Sequence, residues 1–277
     1  MTNAYQSLRR LLKNREGPLY IALSGGIDSL TLMTVAASVR TRPTIAMHAV
    51  SAAVPAEATE RCCTLAEKSG WQLREIDALE FRDSNYVNNP HNRCYYCKNS
   101  LFNAIELCKE VSGAATIATG TNIDDLGDFR PGLVAASEHN VWQPYVEAGV
   151  DKKTIREIAR CEGLGSLAEL PAAPCLSSRV ETGISINTKD LKLIYQVEKL
   201  LTRMTVPGDI RCRIFKRGVT VQLPPGSAIF SQMPLRADAH AQVNALCHAA
   251  GKTFAGFEEY IKGSAFITTV QVQRAGN

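Results

Sequence analysis

The stretch Leu19-Tyr20-Ile21-Ala22-Leu23-Ser24-Gly25-Gly26-Ile27-Asp28-Ser29 constrains this chain more than any other. A short apolar run is followed by a turn with two adjacent glycines, then by an apolar helical run from Leu30 to Val39. Strand, tight turn and helix in that order aim several backbone N–H groups at one point, at the positive end of a helix dipole. Ser24 and Ser29 add hydroxyl donors, and Gly25 and Gly26 let an anion approach the backbone closely. Asp28 has the wrong charge for an anion site unless it holds Mg²⁺, which would bridge it to phosphate oxygens. The plainer alternative is a glycine turn that only joins a strand to a helix.

No Gly-Lys-Ser/Thr follows, so this is not a Walker loop. The segment resembles the S-G-G-x-D-S loop of the ATP pyrophosphatases, the PP-loop superfamily. That resemblance implies cleavage of ATP between its α and β phosphates, with pyrophosphate held in the loop and AMP left on an acceptor.

The first part of the chain alternates strand and helix patterns. Strands are predicted at Leu19–Leu23, Thr44–Val50, Gln72–Ile76 and Ala115–Thr119, and helices at Leu30–Val39, Ala56–Ser69, Lys98–Val111, Leu133–Asn140 and Lys152–Cys161. Strands separated by helices of this length imply an α/β fold, a parallel sheet with helices on both faces. Right-handed crossovers then put ligands at the carboxyl ends of the strands, where the Ser24–Ser29 loop lies. Gly165 to Asn187, with Pro171, Pro174 and Gly183, breaks the rhythm and reads as a functional loop and domain junction. Beyond it the pattern is helix (Thr188–Met204), strands (Asp209–Phe215, Val219–Leu223), helix (Leu235–Ala250), strand (Lys252–Gly256) and a last strand at Ala265–Val272. The expectation is a nucleotide-binding domain over residues 1–180 and a small α+β, ferredoxin-like domain over 188–277 that serves substrate binding or oligomerisation.

Composition narrows the class. With 277 residues, 45% hydrophobic and 21% charged, the chain can build an ordinary core. A net charge of +4, with basic residues scattered apart from Arg211, Arg213, Lys216 and Arg217, is no nucleic-acid stripe and suits small anionic substrates. No apolar run approaches the ~20 residues of a membrane span. Met1 to Arg15 reads as an amphipathic helix rather than a signal peptide, which points to the cytoplasm. In that reducing setting nine cysteines read as metal-binding, catalytic or core thiols, not as a disulfide framework.

Cys94-Tyr95-Tyr96-Cys97 puts two thiols one turn apart at the start of a helix, where thiolates are favoured. Such a pair can bind zinc, hold an iron–sulfur cluster or act as a redox dithiol. Zinc wants four ligands; there is no second C-x-x-C, and His91 is a candidate extra ligand without ligand spacing, a placement more common for a loop residue. Cys175, in Pro171-Ala172-Ala173-Pro174-Cys175-Leu176-Ser177-Ser178-Arg179, lies in a long irregular loop, a setting that favours function over packing. Three thiolates given to a [4Fe-4S] cluster leave one iron open, which can carry sulfide. The competing reading makes Cys175 itself the sulfur donor. Cys62, Cys63, Cys108, Cys161, Cys212 and Cys247 fall in helical or strand patterns and read as small hydrophobes.

Taken together, these residues resemble the LarE family, ATP-dependent sulfur-insertion enzymes that mature the nickel-pincer cofactor of lactate racemase. The likeness covers nearly the whole chain: Ser24–Ser29; Asn92-Arg93-Cys94-Tyr95-Tyr96-Cys97-Lys98; the long run Gly120-Thr121-Asn122-Ile123-Asp124-Asp125-Leu126-Gly127-Asp128-Phe129-Arg130-Pro131-Gly132; Pro144 to Gly149; and Pro174–Arg179. It implies that a carboxylate of a pyridinium dicarboxylate mononucleotide is adenylylated by ATP and that sulfur then displaces AMP, giving a thiocarboxylate. Some members sacrifice the cysteine matching Cys175; others carry three cysteines matching Cys94, Cys97 and Cys175 and use a [4Fe-4S] cluster. All three are present here, which favours the cluster type. The likeness also implies a homo-oligomer.

By the same resemblance, ATP and pyrophosphate would be held by Ser24, Gly25, Gly26, Asp28, Ser29, Gly120, Thr121, Asn122 and Arg130, with Asp28 and Asp125 on Mg²⁺. Asp124, Asp125 and Asp128 read equally well as helix caps and turn residues. Arg179, Arg211 and Arg213 are candidates for a substrate phosphate; Arg211 and Arg213, two apart on a strand, point to one face. The segment Lys216–Gln222 and the linker Ala172-Ala173-Pro174 depart from the family pattern where the acceptor would be read. The alternatives are an amide-forming ligase, for which no ammonia source is visible, and a nucleotide-sensing protein with zinc at Cys94 and Cys97.

Overall fold

The structure is a computed structural model that describes residues 3–108, 115–127, 131–171, 173–204 and 208–260. Its elements, in chain order, are α1 (Asn3–Asn14), β1 (Leu19–Ala22), α2 (Ile27–Val39), β2 (Thr44–Ala49), α3 (Ala56–Ser69), β3 (Gln72–Ile76), α4 (Ser84–Val87), α5 (Arg93–Leu107), β4 (Thr116–Ala118), α6 (Pro131–Glu138), α7 (Pro144–Glu147), α8 (Lys152–Cys161), α9 (Thr188–Met204), β5 (Arg211–Phe215), β6 (Gly218–Leu223), α10 (Ala228–Ser231), α11 (Met233–Ala249) and β7 (Phe254–Glu259). They fall into two compact units, Met1–Asp83 with Cys94–Ala173, and Ser84–Arg93 with Pro174–Asn277. The division thus comes at 173/174 rather than after 180, and the ten residues 84–93 leave the first unit to join the second.

The first unit is α/β. Its sheet is four-stranded and wholly parallel, in the order β3-β2-β1-β4. A parallel sheet must return each strand through a crossover, so helices cover both faces and the inner strands are buried, while the edge strand β3 is polar and part-exposed. β1 shows this best, since all four of its residues are buried. Leu19 and Ile21 pack on one side with Tyr5, Leu8, Leu12, Leu30 and Ile155. Tyr20 and Ala22 pack on the other with Met47, Phe102, Ile105 and Ile117. The chain runs outward from β1 to β2 to β3, then returns to lay β4 beside β1, with Ile21 opposite Ala118. The strand order reverses there, and the crevice beyond the carboxyl ends of β1 and β4 is where such a sheet takes its ligand.

The second unit is a small α+β body with a mixed sheet in the order β5-β6-β7. β5 and β6 form an antiparallel hairpin, and β7 runs parallel to β6 after the crossover through α11. Leu191, Ile194, Val197 and Leu201 of α9, Cys212 and Ile214 of β5 and Val243 and Cys247 of α11 are fully or almost fully buried. Residues 84–93 are tied in by their backbone: Ile186 N donates to Val87 O at 2.8 Å and Gly183 N to Asn89 O at 2.9 Å. The fully buried Asn89 side chain donates to Glu181 O and Ile184 O at 2.9 and 3.0 Å. The expected strand Ala265–Val272 lies outside the described residues.

Helices predicted at 56–69, 152–161 and 188–204 fall on α3, α8 and α9. Two helices begin earlier than periodicity suggests. α2 starts at Ile27, so Asp28 and Ser29 sit in its first turn rather than ahead of it; α5 starts at Arg93 rather than Lys98, with Cys94 and Cys97 at its start as expected. Polar residues at a helix start interrupt the apolar pattern, which is why the pattern alone places those starts too late. Among the described residues no helix is long and apolar enough to cross a membrane.

Candidate active site

The turn between β1 and α2 is shaped by two close backbone approaches. Gly25 has φ +73°, and a Cβ on it would lie 2.6 Å from the Ala58 carbonyl oxygen in α3. Gly120, just past β4, is as close to α2: its Cβ would fall 2.9 Å from Ser29 N and 3.0 Å from the Asp28 carbonyl carbon. The loop is therefore pressed between the first turn of α3 and the end of β4, and glycine at both contacts makes that possible.

The two serines tie the loop to itself. Ser29 Oγ, almost fully buried, donates to Gly26 O at 3.1 Å, accepts from Ser24 N at 3.1 Å and lies 3.2 Å from Ser24 Oγ. Ser24 Oγ accepts from Gly26 N at 3.3 Å. The N–H groups of Gly25, Ile27, Asp28 and Ser29 have no acceptor among the described residues. The first amides of a helix always lack an internal partner, so these donors are available to an anion.

Asp28 already has a partner. Its carboxylate is ion-paired with Lys152 Nζ at the start of α8. Burial pushes the Asp28 carboxyl above its ordinary value, Lys152 pulls it down, and the nearby Asp125 charge pushes it up again. The buried Tyr145 hydroxyl donates to Asp28 O at 3.0 Å and fixes the helix start from behind. Asp125 stands close enough for its charge to be felt, yet its Oδ2 accepts from Asn122 N at 3.1 Å. Asn122, 2% exposed, accepts from Asp124 N through Oδ1 at 3.0 Å, and Asp124 Oδ2 accepts from Lys152 N at 2.9 Å. Thr121 Oγ1 lies 3.1 Å from Thr119 Oγ1. Asp124 and Asp125 thus serve the turn-capping role weighed for them, and they fasten the segment after β4 to α8. Within either unit no three His, Cys, Asp or Glu side chains are placed to hold a metal among the described residues. One or two carboxylates beside a phosphate nest still suit Mg²⁺, which keeps most of its ligands as water and phosphate oxygens. Arg130 and Asp128 lie outside the described residues.

Cys94 and Cys97 occupy the first turns of α5, one exposed and the other half-buried. Cys175, half-buried, belongs to the second unit, where it precedes a short 3₁₀ turn at Leu176–Arg179. The arginine after it has a different occupation from the one expected. Arg179 is 4% exposed and forms a two-pronged ion pair with Glu198, at 3.0 and 3.2 Å. Its remaining nitrogen donates to Pro174 O at 2.6 Å, Cys175 O at 3.1 Å and Ser178 Oγ at 3.0 Å. These bonds brace the backbone that carries Cys175 and leave one of the five guanidinium N–H groups, on Nη2, uncommitted among them. Arg211 and Arg213 do share a face, both lying over the Tyr260 ring. Arg211 reaches Asp209 at 2.8 Å; Arg213, buried, donates to Gln222 Oε1 at 2.6 Å and Ser178 O at 3.1 Å. Burial lowers the Arg213 guanidinium from its ordinary value without discharging it.

The comparisons with known proteins follow the same lines. An uncharacterized protein of Synechocystis is 34% identical over 205 residues, which is 74% of this chain and 76% of that one. An uncharacterized protein of Methanocaldococcus jannaschii is 30% identical over 217 residues, 78% of this chain and 81% of that one. The chain belongs to the same protein family as these two. The pyridinium-3,5-bisthiocarboxylic acid mononucleotide synthase of Lactiplantibacillus plantarum is a more distant relative of this family member, 27% identical over 205 residues, 74% of each chain. No family model matches the chain.

Sequence reasoning missed Lys152 and Tyr145 at this loop, and also Arg61 of α3, whose Nε donates to Gly25 O at 3.1 Å. Lys152 did leave a signal. It and Lys153 stand in the first turn of α8, where a cation opposes the helix dipole, and a residue in an unfavourable place is often there for a partner. Tyr145 left none, because an aromatic in an apolar run reads as core.

Proposed function

We propose that this chain is an ATP-dependent sulfur transferase of the LarE type, acting in nickel-pincer cofactor synthesis. It would activate a substrate carboxylate as the acyl adenylate and exchange AMP for sulfur. The Ser24–Ser29 turn carries the reading, because unpartnered amides converge at the start of α2 at the point where the strand order reverses. The relative named as a bisthiocarboxylic acid mononucleotide synthase supports sulfur as the nucleophile and a mononucleotide as the substrate.

The chemistry follows from charge. A carboxylate resists nucleophiles because it is already negative. Its oxygen can instead attack the α-phosphorus of ATP, breaking the bond to the β-phosphate and releasing pyrophosphate. The loop amides stabilise the charge that grows on that leaving group; Asp28 and Asp125 would hold Mg²⁺, which when bound supplies further positive charge there. Gly120, Thr121 and Asn122 border the adenine side. Lys152, paired with Asp28, puts an ammonium beside the same turn, within reach of the charge that a phosphate would bring there. Sulfur then attacks the acyl carbon and the C–O bond to AMP breaks, leaving a thiocarboxylate. Arg211 and Arg213 grip the substrate phosphate from one strand face. Cys94, Cys97 and Cys175 are the thiols that would hold a [4Fe-4S] cluster, which when bound supplies an open iron able to carry sulfide. The same reading expects a cytoplasmic homo-oligomer with a small-molecule substrate and no nucleic-acid partner.

The test is anaerobic purification followed by iron and acid-labile sulfide analysis of wild type, Cys94→Ala, Cys97→Ala and Cys175→Ala, alongside pyrophosphate release from ATP with a pyridinium dicarboxylate mononucleotide. Iron lost in each variant, with pyrophosphate release retained, supports the cluster. An iron-free active wild type whose Cys175 peptide loses H₂S after one turnover makes Cys175 the donor. No pyrophosphate release with any acid, and zinc in place of iron, overturns the proposal.

A further inference from the structure

The carbonyl groups of the phosphate turn are held as firmly as its amides are left open. Leu23 O accepts from His48 Nδ1 at 2.8 Å, and His48 Nε2 in turn meets Thr59 Oγ1 of α3 at 2.9 Å. Gly26 O accepts from Leu30 N and Ser29 Oγ, both at 3.1 Å. Gly25 O accepts from Arg61 Nε, also of α3, at 3.1 Å. The Gly25 bond matters most. Gly25 has no side chain and sits at φ +73°, so the peptide that follows is held only by bonds at its two ends: Arg61 Nε on its C=O, and the longer 3.3 Å contact of Ser24 Oγ on its N–H. A peptide is planar, and its C=O and the next N–H point in opposite directions. The Arg61 bond to Gly25 O therefore aims Gly26 N–H at Ser24 Oγ, and the two bonds together set the curvature of the turn into α2. α3 thus serves the turn at three places: Ala58 packs on Gly25, Thr59 holds His48, and Arg61 holds the Gly25 carbonyl.

We infer that Arg61 is a positioning residue for pyrophosphate. It touches no ligand but fixes the Gly25–Gly26 peptide so that the turn is already shaped for the anion. The inference rests on the reading of Ser24–Ser29 as a phosphate site and names one of its determinants. Preorganisation of this kind appears in affinity for the group the turn holds, not for the rest of the nucleotide.

The experiment is calorimetric titration of the full chain with Mg²⁺-pyrophosphate and, separately, with AMP, for wild type, Arg61→Ala, Arg61→Gln and Arg61→Lys, with thermal unfolding alongside. Loss of a charge-assisted bond predicts pyrophosphate binding weakened about tenfold in Arg61→Ala and Arg61→Gln. AMP affinity should hold, and Arg61→Lys should recover part of the loss. Unchanged pyrophosphate affinity in Arg61→Ala overturns the inference alone. So does an equal fall for pyrophosphate and AMP together with a lowered melting temperature, which marks general damage. A wild type that binds no pyrophosphate overturns both the inference and the phosphate reading beneath it.

Discussion

Replacing Gly120 with alanine isolates the contact between β4 and the phosphate turn. Gly120 does not need the left-handed region, so its backbone accepts alanine and the cost is purely steric. The new Cβ would lie 2.9 Å from Ser29 N, 3.0 Å from the Asp28 carbonyl carbon and 3.2 Å from Ser29 Cα. All three are backbone atoms of the first turn of α2, which cannot swing aside as a side-chain tip can. Restoring an ordinary contact requires the end of β4 and the start of α2 to part by about 0.5 Å. Overpacking of this kind costs about 1–3 kcal/mol. Near the melting temperature each kcal/mol lowers Tm by roughly 2–4 °C in a domain of this size. The displaced atoms include the Asp28–Ser29 peptide with its Ser29 amide, so Mg²⁺-ATP affinity should fall more than stability alone explains. Gly127→Ala is the control, because its Cβ would meet nothing within 4 Å. Differential scanning fluorimetry with and without Mg²⁺-ATP reads both effects. A Gly120→Ala protein that matches Gly127→Ala in melting temperature and nucleotide response would refute the argument.

Further expectations concern charge and burial. Burial raises the folded-state pKa of Asp28 above its unfolded value, so its contribution to stability is full below the unfolded value and is lost as pH rises through the folded one. Asp28→Asn should therefore raise the melting temperature of the ligand-free protein at pH 7 while removing Mg²⁺-dependent pyrophosphate binding; a lowered melting temperature would mean that the Lys152 pair outweighs burial. Arg179→Met strands the Glu198 carboxylate, 16% exposed, and the carbonyls of Pro174 and Cys175. Urea unfolding should show a loss of about 3–5 kcal/mol, much of it recovered when Glu198→Gln is added. Alkylation of the native protein should modify exposed Cys94 and Cys161 well before Cys62, Cys212 and Cys247. Burial pushes the Cys62 thiol up to about 12 and the Cys247 thiol up to about 11, with Cys212 also raised. Peptide mass mapping over a time course checks the order.

The strand–glycine–helix turn, the parallel sheet and the helices α3, α8 and α9 were legible in the sequence alone, because each is written in local period and turn chemistry. The face shared by Arg211 and Arg213 was legible for the same reason, since alternation along a strand needs no knowledge of the rest of the chain. What was hidden depended on which distant residues meet. Lys152 finds Asp28 across 124 positions, and Arg61 reaches Gly25 from another helix. Arg179, a phosphate candidate by type, pairs with Glu198 and binds the carbonyls around Cys175. Residues 84–93, read as part of the first domain, are drawn into the second by backbone bonds to 183 and 186. Local chemistry determines what a side chain is able to do. Only packing, by choosing its partners and taking away its water, decides what it is left free to do.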